Sequence, residues 1–365
     1  MSTEIIADHT KLAEALLQAG RNDELRRTLF TALRQAEAQS DNPANFREQV
    51  RWPLILALLG EKGTERVVLK NGLIFEVGAD SRIEQALLLS TEEHPDHVWE
   101  PQTTKLLTAL ARGASHTIVG GAYIGDHVLP VARVMSEDAP PGQVHAFEPM
   151  SHAFNRLVRN LELNEIRNVS ANRLGLWDSS DTSLSVAGQL ALASSVALED
   201  EEDSTSDDVI KSVTIDDYVK SRELQQVGLI MLDTEGGEER ALLGARNLLE
   251  RPAGEAPNIV FEIHRHFVDW SDGLENTSVV KLLTSRGYTV FAIRDFHLNY
   301  PMAGQPIEII PVDKVYLEGP PHGFNALATK DEGLVHRLGL RIVESVSPKL
   351  LLDKDPALHH PLGGL

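Results

Sequence analysis

The sequence predicts an α/β protein in which a doubly wound, mostly parallel, seven-stranded Rossmann-like sheet follows an N-terminal helical region. Two observations carry this prediction. Between residues 115 and about 317, short apolar runs alternate with amphipathic stretches. In the stretch 151–163, Phe154, Leu157 and Leu161 recur at helical spacing and form one apolar stripe. Apolar strands that alternate with such helices build a parallel sheet covered on both faces.

The segment before this pattern is predicted to be helical and to end in a small β-hairpin. Leu25, Leu29 and Leu33 are spaced by four residues, as on one face of a helix. In the run VVLKNGLIFEV, an Asn-Gly pair separates two apolar segments, which is a strong hairpin signal. We therefore expect a helical region with its hairpin, a sheet domain and a C-terminal extension, at residues 1–95, 96–330 and 331–365.

The elements of the predicted sheet follow in order along the chain. A helix over residues 103–113, ended by Gly113, leads into the first strand. One later segment interrupts the rhythm, because LEDEEDSTSDD at 198–208 is too acidic to be buried and predicts a solvated loop. The apolar runs that predict strands lie at 116–119, 143–147, 169–174, 227–233, 258–263, 288–293 and 313–317.

Charge and composition argue against several classes of partner. The chain has 365 residues, with 34 basic and 54 acidic side chains and a formal charge of −20. Such acidity argues against nucleic acids and anionic membranes. The absence of cysteine removes disulfides, thiolate metal sites and cysteine nucleophiles. No signal peptide or bilayer-spanning apolar run is recognisable. We expect a cytoplasmic protein with a small-molecule partner, and a homodimer is left open.

A glycine-rich loop follows the first predicted strand. In VGGAYIGDH, residues 119–127, Gly120, Gly121 and Gly125 have the spacing G-G-x-x-x-G. The dinucleotide fingerprint is G-x-G-x-x-G, so a pyrophosphate site is weakly supported. Doubly wound sheets bind ligands at the carboxyl ends of their strands, near the switch in strand order. The loop therefore indicates a ligand without phosphates that is contacted by loop backbone.

A glutamate ends the second predicted strand. Glu148, in the stretch HAFEP, comes 23 residues after Gly125, and a carboxylate there can accept both hydroxyls of a ribose. The alternative is a surface glutamate at the start of a helix, where the helix dipole favours it. The glycine loop one βα unit earlier favours the ribose interpretation.

These blocks resemble the FkbM family of methyltransferases, class I enzymes that depend on S-adenosylmethionine. The resemblance lies in TIVGGAYIGDH, in the block 142–178 with its Phe-Glu-Pro, and in SVTIDDYV, VGLIMLDTEGGEERALLGARNLL and IVFEIH. It runs from about residue 67 to residue 330 and implies a class I methyltransferase fold for the domain 96–330. The chain departs from the family pattern at Val119, where relatives usually have Asp, and at Met231, where they often have Lys.

The resemblance implies three groups of cofactor contacts. The glycine loop would face the methionine part, the end of the second strand would hold the ribose, and the end of the third would border the adenine. Either Tyr123, which replaces a family Asn, or Asp126 is expected to compensate for the Asp that is missing at position 119, and both are among the implied cofactor contacts. The other implied residues are, in that order, Gly121, Ala122 and Gly125; Glu148 and Pro149; and Trp177 and Asp178.

A cluster of carboxylates follows the fourth predicted strand. In DTEGGEE, Glu238 and Glu239 open a helix, where the dipole stabilises them. Asp233 ends the buried strand LIMLD beside the expected methyl-transfer site. It is a candidate to pair with the sulfonium, to act as a base on an acceptor hydroxyl, or to bind Mg²⁺ through oxygen. Glu235 is predicted to contact the acceptor, and the need for a metal is left open.

Three histidines are further candidates for the acceptor site. His264, in FEIHRH at the end of the fifth strand, and His127, after the glycine loop, are candidate bases because imidazole titrates near neutrality. His322, in a Pro-Gly loop, is predicted to line the pocket. The alternative for each is a hydrogen-bonded histidine at the end of a strand or the start of a helix.

The residues and the resemblance together predict an S-adenosylmethionine-dependent O-methyltransferase. Its acceptor would be a hydroxyl of a saccharide or secondary metabolite, attacked by in-line displacement with a carboxylate or histidine base. The N-terminal helices and residues 188–208 are expected to shape the acceptor pocket. Two alternatives stay open at this point: an NAD(P)-dependent oxidoreductase on the same class of sheet, and a non-catalytic protein that keeps the fold.

Overall fold

The chain folds as two units, Met1–His94 and Pro95–Leu365. The glycine loop and all the predicted site residues lie in the second unit. The computed structural model describes residues 2–60, 63–79, 81–88, 99–187, 194–197, 209–297, 304–317 and 323–350.

The first unit contains helices followed by the Asn-Gly hairpin. The side chain of Asn22 caps the second helix by accepting the Leu25 N–H at 3.0 Å. Arg47 and Arg51 both form ion pairs with Glu37, which joins two helical segments. The elements are α1 Ser2–Gly20, α2 Asp23–Ala38, α3 Pro43–Phe46, a π-helical turn Arg47–Arg51, α4 Trp52–Leu59, β1 Glu65–Val68, β2 Ile74–Val77 and α5 Arg82–Leu88.

The second unit is built on a large sheet with helices around it. Its strands are β3 His116–Gly120, β4 Gln143–Phe147, β5 Val169–Asn172, β6 Gly175–Leu176, β7 Ser183–Ala187, β8 Ser194–Ala197, β9 Val209–Val213, β10 Val227–Leu232, β11 Asn258–His264, β12 Thr289–Arg294, β13 Glu308–Pro311, β14 Gly323–Thr329 and β15 Arg341–Ile342. Its α-helices are α6 Pro101–Ala111, α7 Val128–Ser136, α8 Ser151–Leu163, α9 Ile215–Ser221, α10 Glu238–Leu243, α11 Arg246–Leu249, α12 Ser278–Thr284 and α13 Leu334–Arg337.

The order of the strands creates one switch point. The nine-stranded sheet has the order β15-β13-β12-β14-β11-β10-β3-β4-β5, and β6 to β9 form a smaller sheet. From β3 the chain moves outward to β4 and β5, and then returns to β10 on the other side of β3. Within the run β11-β10-β3-β4-β5 of this sheet, each strand is parallel to the next one. A ligand site is therefore expected where β3, β4 and β10 end.

The core of this unit consists of the apolar runs that the sequence predicts as strands. Ile118, Ile230 and Phe261, one from each of three adjacent strands, are all fully buried. Burying each of these side chains contributes about 1.5–3 kcal/mol relative to exposure. The core therefore holds β3, β10 and β11 rigidly, and the loops at their carboxyl ends start from fixed positions.

The sheet is larger than the seven strands predicted, and its last strands differ from the expectation. The strand predicted at 313–317 is wrong, because β13 ends at Pro311 and Val312–Lys314 form a 3₁₀ turn. No strand was predicted at β14, which pairs antiparallel with β11 and β12. Its segment GFNALAT contains a glycine, an asparagine and two alanines, residues that are depleted in strands, so tertiary packing overrides its propensity.

The sequence also predicts that no segment spans a bilayer and that residues 198–208 form a solvated loop. Among the helices that the structure describes, none combines the length and the apolar character needed to cross a bilayer. The predicted acidic loop at 198–208 lies outside the described residues, and so does His322.

Candidate functional site

The candidate site lies at the carboxyl ends of β3, β4 and β10. Gly120, the last residue of β3, is in register with Leu232 of β10 and with Phe147 of β4. The N–H of Asp233 donates to the carbonyl oxygen of Gly120 at 3.0 Å, which carries the pairing one residue past the strand. The glycine loop, Glu148 and Asp233 therefore meet at the switch point.

The glycine loop crosses the end of the sheet in close contact with its neighbours. Gly121 has a φ of +75°, and a Cβ there would lie 1.6 Å from the carbonyl oxygen of Asp233. The N–H groups of Gly121 and Ala122 both donate to the carbonyl oxygen of Phe147 at 3.0 Å. This position excludes any side chain, so Gly121 is required first by the backbone beside it.

Gly125 is required by the helices that follow the loop. Its φ is +96°, and a Cβ would lie 2.3 Å from Cδ1 of Leu129 and 2.9 Å from Cδ1 of Leu157. Tyr123 between the two glycines also has a left-handed φ, +43°. The side of Gly125 where a side chain would stand thus faces α7 and α8, and only its backbone is offered to a ligand.

Glu148 is held in place by two backbone donors. Its Oε2 accepts the N–H of Tyr123 at 2.8 Å, and its Oε1 accepts the N–H of Met150 at 2.8 Å. The side chain is 5% exposed, and burial raises the pKa of Glu148 to about 7. Each carboxylate oxygen has more than one lone pair, so both can still accept a hydroxyl. Pro149, which follows, is half-buried.

Trp177 and Asp178 directly follow β6 and contact Arg240 of α10. Trp177 is 9% exposed and packs against Leu184 and Ile210. Asp178 accepts a hydrogen bond from Arg240 at 2.7 Å, and the Arg240 guanidinium lies 6.0 Å from the centre of the Trp177 ring. These contacts fix the tryptophan ring. The adenine contact implied by the resemblance stays a prediction.

Asp233 is the centre of a group of carboxylates. Burial raises the pKa of Asp233 well above its usual value, and the charges of Glu100 and Glu235 raise it further. Burial, followed by the charge of Glu238, raises the pKa of Glu235 to about 7. Burial, followed by the charge of Asp233, raises the pKa of Glu262, on β11, well above its usual value. Like charges held together out of water favour the protonated form.

Glu238 has a structural role in this group. Its Oε1 accepts the N–H of Thr234 at 2.7 Å and the Thr234 hydroxyl at 2.9 Å, and its Oε2 accepts the N–H of Gly236 at 3.1 Å. Glu239 instead accepts a hydrogen bond from Ser278. Glu238 therefore fixes the loop that carries Glu235, in the position at the start of a helix that the sequence indicates.

His127 is buried between a hydroxyl and two carboxylates. Its Nδ1 lies 3.0 Å from Oγ1 of Thr104, and its Nε2 lies 3.5 Å from Oε2 of Glu100 and 3.9 Å from Oδ2 of Asp126. Burial alone would lower the pKa of His127, but Asp126, Glu100 and Asp233 raise it to about 9. Burial raises the pKa of Asp126. An imidazole with that pKa is protonated at neutral pH, which favours a positively charged group over a base.

His264 is the last residue of β11. Its ring lies 4.7 Å from the ring of His266 and 5.5 Å from that of Phe267, and its Nδ1 accepts the N–H of His266 at 3.1 Å. Glu262 is two residues earlier on the same strand, so both side chains stand on the same face of the sheet. His264 is half-buried and keeps its place among the candidate bases.

Glu100 is a site residue that the sequence interpretation missed. It is 4% exposed, accepts a hydrogen bond from Nδ2 of Asn325 at 2.7 Å, and has Nε2 of His297 at 2.8 Å. Burial would raise the pKa of Glu100, but the hydrogen bond with His127 and the charge of Lys349 lower it on balance. The Glu-Pro pair at 100–101 signals a helix start, but nothing local places this carboxylate in a site.

Asp295 and Lys349 were also missed. Asp295 accepts the N–H groups of Gln102 at 3.0 Å and Thr103 at 2.7 Å, so it caps α6 from a distant strand. Burial and the charge of Glu100 raise the pKa of Asp295 to about 7. Lys349 is 1% exposed, and burial lowers its pKa to about 8 against the opposing effect of Glu100 and other carboxylates. No local motif marks either residue.

One family of known proteins matches the part of the chain that contains the glycine loop, Glu148 and Asp233. Residues 120–290 match the profile of the methyltransferase FkbM domain, which confirms the resemblance and supports an S-adenosylmethionine-dependent methyltransferase. No curated protein sequence matches the chain.

Three solved structures illustrate the structural likeness. An rRNA methylase from Streptococcus thermophilus has a TM-score of 0.35 and 12% identity, and the match covers 62% of this chain and 93% of that one. Precorrin-6y C5,15-methyltransferase from Geobacter metallireducens GS-15 has a TM-score of 0.35 and 12% identity, with coverages of 63% and 89%. TYW2 from M. jannaschii in complex with AdoMet has a TM-score of 0.34 and 11% identity, with coverages of 74% and 85%.

Proposed function

With residues 120–290 carrying a methyltransferase FkbM domain, we propose that the chain transfers a methyl group from S-adenosylmethionine to a hydroxyl of a saccharide or secondary metabolite. The observation that carries this proposal is the contact between the glycine loop and Asp233. A Cβ on Gly121 would overlap the carbonyl oxygen of Asp233, so the loop for the donor and the carboxylate for the acceptor are adjacent.

The donor would lie across the ends of β3 and β4. Glu148 offers its remaining lone pairs to the two ribose hydroxyls, while the N–H groups of Tyr123 and Met150 hold it still. The methionine part would follow the glycine loop toward Asp233. Trp177 would border the adenine, at the rim that Arg240 and Asp178 close.

Methyl transfer requires alignment and the removal of one proton. The acceptor oxygen forms a bond to the methyl carbon as the carbon–sulfur bond breaks, and the electron pair of that bond stays on sulfur. Holding the two reactants in line supplies much of the rate. The hydroxyl proton passes to a base, for which Asp233 is proposed and His264 is the second candidate.

The raised pKa of Asp233 suits this role once the donor is bound. In the protein alone, burial and neighbouring carboxylates favour its protonated form. A sulfonium nearby favours the ionised form, because an opposite charge lowers the pKa of a carboxyl group. The base would thus be ready when the donor is present. Glu235, held by the loop that Glu238 fixes, is proposed to contact the acceptor.

Calorimetric titration with S-adenosylhomocysteine tests the donor part, with NAD⁺ as the control ligand. We expect binding of S-adenosylhomocysteine in the micromolar range and none of NAD⁺. Binding of NAD⁺ instead would establish the oxidoreductase alternative, and binding of neither would favour a protein that keeps the fold without the activity. Transfer of labelled methyl to a panel of sugars and hydroxylated metabolites then tests the acceptor class, and N- or C-methylated products would contradict it.

A further inference from the structure

Three carboxylates converge where β10 and β11 end. Asp233 follows β10, Glu235 lies two residues further on, and Glu262 belongs to β11. The two strands are parallel and Leu232 is in register with Phe261, so Asp233 and Glu262 are side by side. One oxygen from each of the three carboxylates lies within 4.8 Å of the other two. This spacing lets the three oxygens reach a common point.

A fourth oxygen, on the same face of the sheet as Glu262, is buried and has no partner among the described residues. Asn325 on β14 is in register with Glu262 and is 2% exposed, so the two side chains stand on the same face. Its Nδ2 donates to Oε2 of Glu100 at 2.7 Å. Its Oδ1 makes no hydrogen bond to any residue that the structure describes. Asn325 is not a charged residue, so this observation is independent of the acidic cluster.

Two carboxylate oxygens of the cluster resemble Oδ1 of Asn325 in their surroundings. Oε2 of Glu235 and Oε2 of Glu262 are buried and have no hydrogen-bond partner in the described part of the chain. Buried oxygens are nearly always paired in native proteins, because an unpaired acceptor loses its hydration without compensation. All three unpaired atoms are oxygens, and when the two carboxylates are ionised all three are acceptors that a cation within reach would satisfy.

The charge around these oxygens also favours a cation. The negative charges of Glu100 and Glu238, like that of Glu235, raise the pKa of Asp233. The charge of Asp295 raises the pKa of Lys349. Among the described residues, Lys349 and His127 are the two cations whose charges act on the cluster. The ammonium of Lys349 makes no hydrogen bond to the described residues, so it does not satisfy the unpaired oxygens. These carboxylates outnumber the two cations.

We propose that Asp233, Glu235 and Glu262, with Oδ1 of Asn325, bind a divalent cation of the oxygen-preferring class, such as Mg²⁺, Mn²⁺ or Ca²⁺. Carboxylate and amide oxygens are the ligands these hard cations prefer, and waters complete their coordination. The site goes beyond the proposed function, because cation binding requires neither donor nor acceptor. In the proposed reaction, the cation would hold the acceptor oxygen and lower the pKa of its hydroxyl.

Titration of the metal-free full chain with Mn²⁺ alone tests the site, by calorimetry and by the loss of the free-ion electron paramagnetic resonance signal. We expect one ion per chain, with a dissociation constant on the order of 10⁻⁵ M. Glu262→Gln should weaken Mn²⁺ binding by about tenfold or more, since even residues that only support metal ligands cost that much. Mg²⁺ and Ca²⁺ should compete with Mn²⁺.

Glu239→Gln is the matched control, because Glu239 belongs to the same acidic stretch but faces Ser278. It should leave Mn²⁺ affinity unchanged. Lys349→Met removes a competing positive charge and should tighten binding, which provides a second measurement if Glu262→Gln does not fold. Thermal melting and S-adenosylhomocysteine affinity report the fold of each variant.

Two results would overturn the proposal: no Mn²⁺ binding at millimolar concentration by the folded wild-type chain, or equal affinity in Glu262→Gln, Lys349→Met and wild type. Because Mn²⁺ is titrated without the donor, these results are independent of the donor titration. The cation site can fail while S-adenosylhomocysteine still binds, and the reverse also holds.

Discussion

The carboxylate of Glu148 accepts the backbone N–H of Tyr123 at 2.8 Å, across 25 residues of chain. This bond joins the end of β4 to the glycine loop that follows β3. Tyr123 has a left-handed φ of +43°, which is costly for a residue with a side chain. The bond stabilises that conformation, so Glu148 and the glycine loop hold each other in position before any ligand binds.

Glu148→Gln should weaken S-adenosylhomocysteine binding. The amide keeps the shape of the side chain, but it has one acceptor oxygen instead of two and no negative charge. Its hydrogen bonds with the N–H groups and the ribose hydroxyls are therefore fewer and weaker. Hydrogen bonds to charged groups contribute roughly 1.5–3 kcal/mol, so the dissociation constant should rise about 10- to 100-fold. Calorimetry measures it, with Glu162→Gln on the exposed side of α8 as the control. Equal affinities in the two variants would remove Glu148 from the cofactor site.

The same residue predicts a pH dependence. Burial raises the pKa of Glu148 to about 7 from a usual value of 4.5, so the ionised form that accepts hydroxyls appears as pH rises through 7. Affinity for S-adenosylhomocysteine should increase from pH 6 to pH 8 in the wild type and less in Glu148→Gln. The contribution of Glu148 to the free energy of unfolding changes with pH in the opposite direction to the affinity. It is fully present below pH 4.5 and is lost as pH rises through 7. Parallel pH profiles of wild type and variant would contradict this.

Gly121 and Gly113 allow a matched test of the glycine loop. Their φ angles are +75° and +76°, but a Cβ on Gly121 would lie 1.6 Å from a carbonyl oxygen, whereas one on Gly113 would meet nothing within 4 Å. Alanine in this conformation costs on the order of 1–2 kcal/mol. Gly121→Ala should cost roughly 1–3 kcal/mol more from overpacking, and should lose S-adenosylhomocysteine binding. Urea unfolding measures the difference, and equal costs would argue against the close backbone contact.

Asp233→Asn tests the proposed base. The amide cannot take a proton, so methyl transfer should fall by about 10²–10⁴-fold, the usual contribution of general base catalysis. Affinity for S-adenosylhomocysteine should stay within a few-fold of wild type, because the N–H of Asp233 keeps its bond to Gly120. Single-turnover transfer of labelled methyl measures the rate, and His264→Gln is assayed in parallel. Full activity in Asp233→Asn with loss in His264→Gln would move the base to His264.

His145 predicts a loss of stability in acid. Its Nδ1 lies 3.0 Å from the Tyr218 hydroxyl and its Nε2 lies 3.2 Å from Nδ1 of His116. Burial, with the charges of His116 and Arg222, lowers the pKa of His145 from 6.5 to about 4. The neutral ring therefore contributes stability above pH 6.5 that is lost as pH falls through 4.

His145→Gln should reduce the difference in melting temperature between pH 7 and pH 4.5, because glutamine hydrogen-bonds without titrating. His152→Gln, at an exposed position on α8, serves as the control and should leave the slope unchanged. If both variants keep the wild-type slope, the acid sensitivity comes from other groups.

Sequence patterns predicted the half of the sheet that carries the glycine loop, Glu148 and Asp233. The strands that lead to Gly121, Glu148 and Asp233 are mostly buried and mostly apolar. Such runs are recognisable because burial on both faces leaves few polar positions. Parallel strands place their carboxyl ends at one edge of the sheet. The meeting of these three residues therefore followed from strand order, which the resemblance to a known family supplied.

The sequence by itself determined the fold class, the glycine loop and the residues that directly follow each strand, because these depend on local spacing and burial. Tertiary structure alone decided that Glu100, Asn325 and Lys349 belong to the same site. Asn325 reaches Glu100 across 225 residues, through an antiparallel strand whose composition does not mark it as one. Such contacts depend on strand order and register, which are set by packing of the whole sheet and leave no periodic signal in the chain.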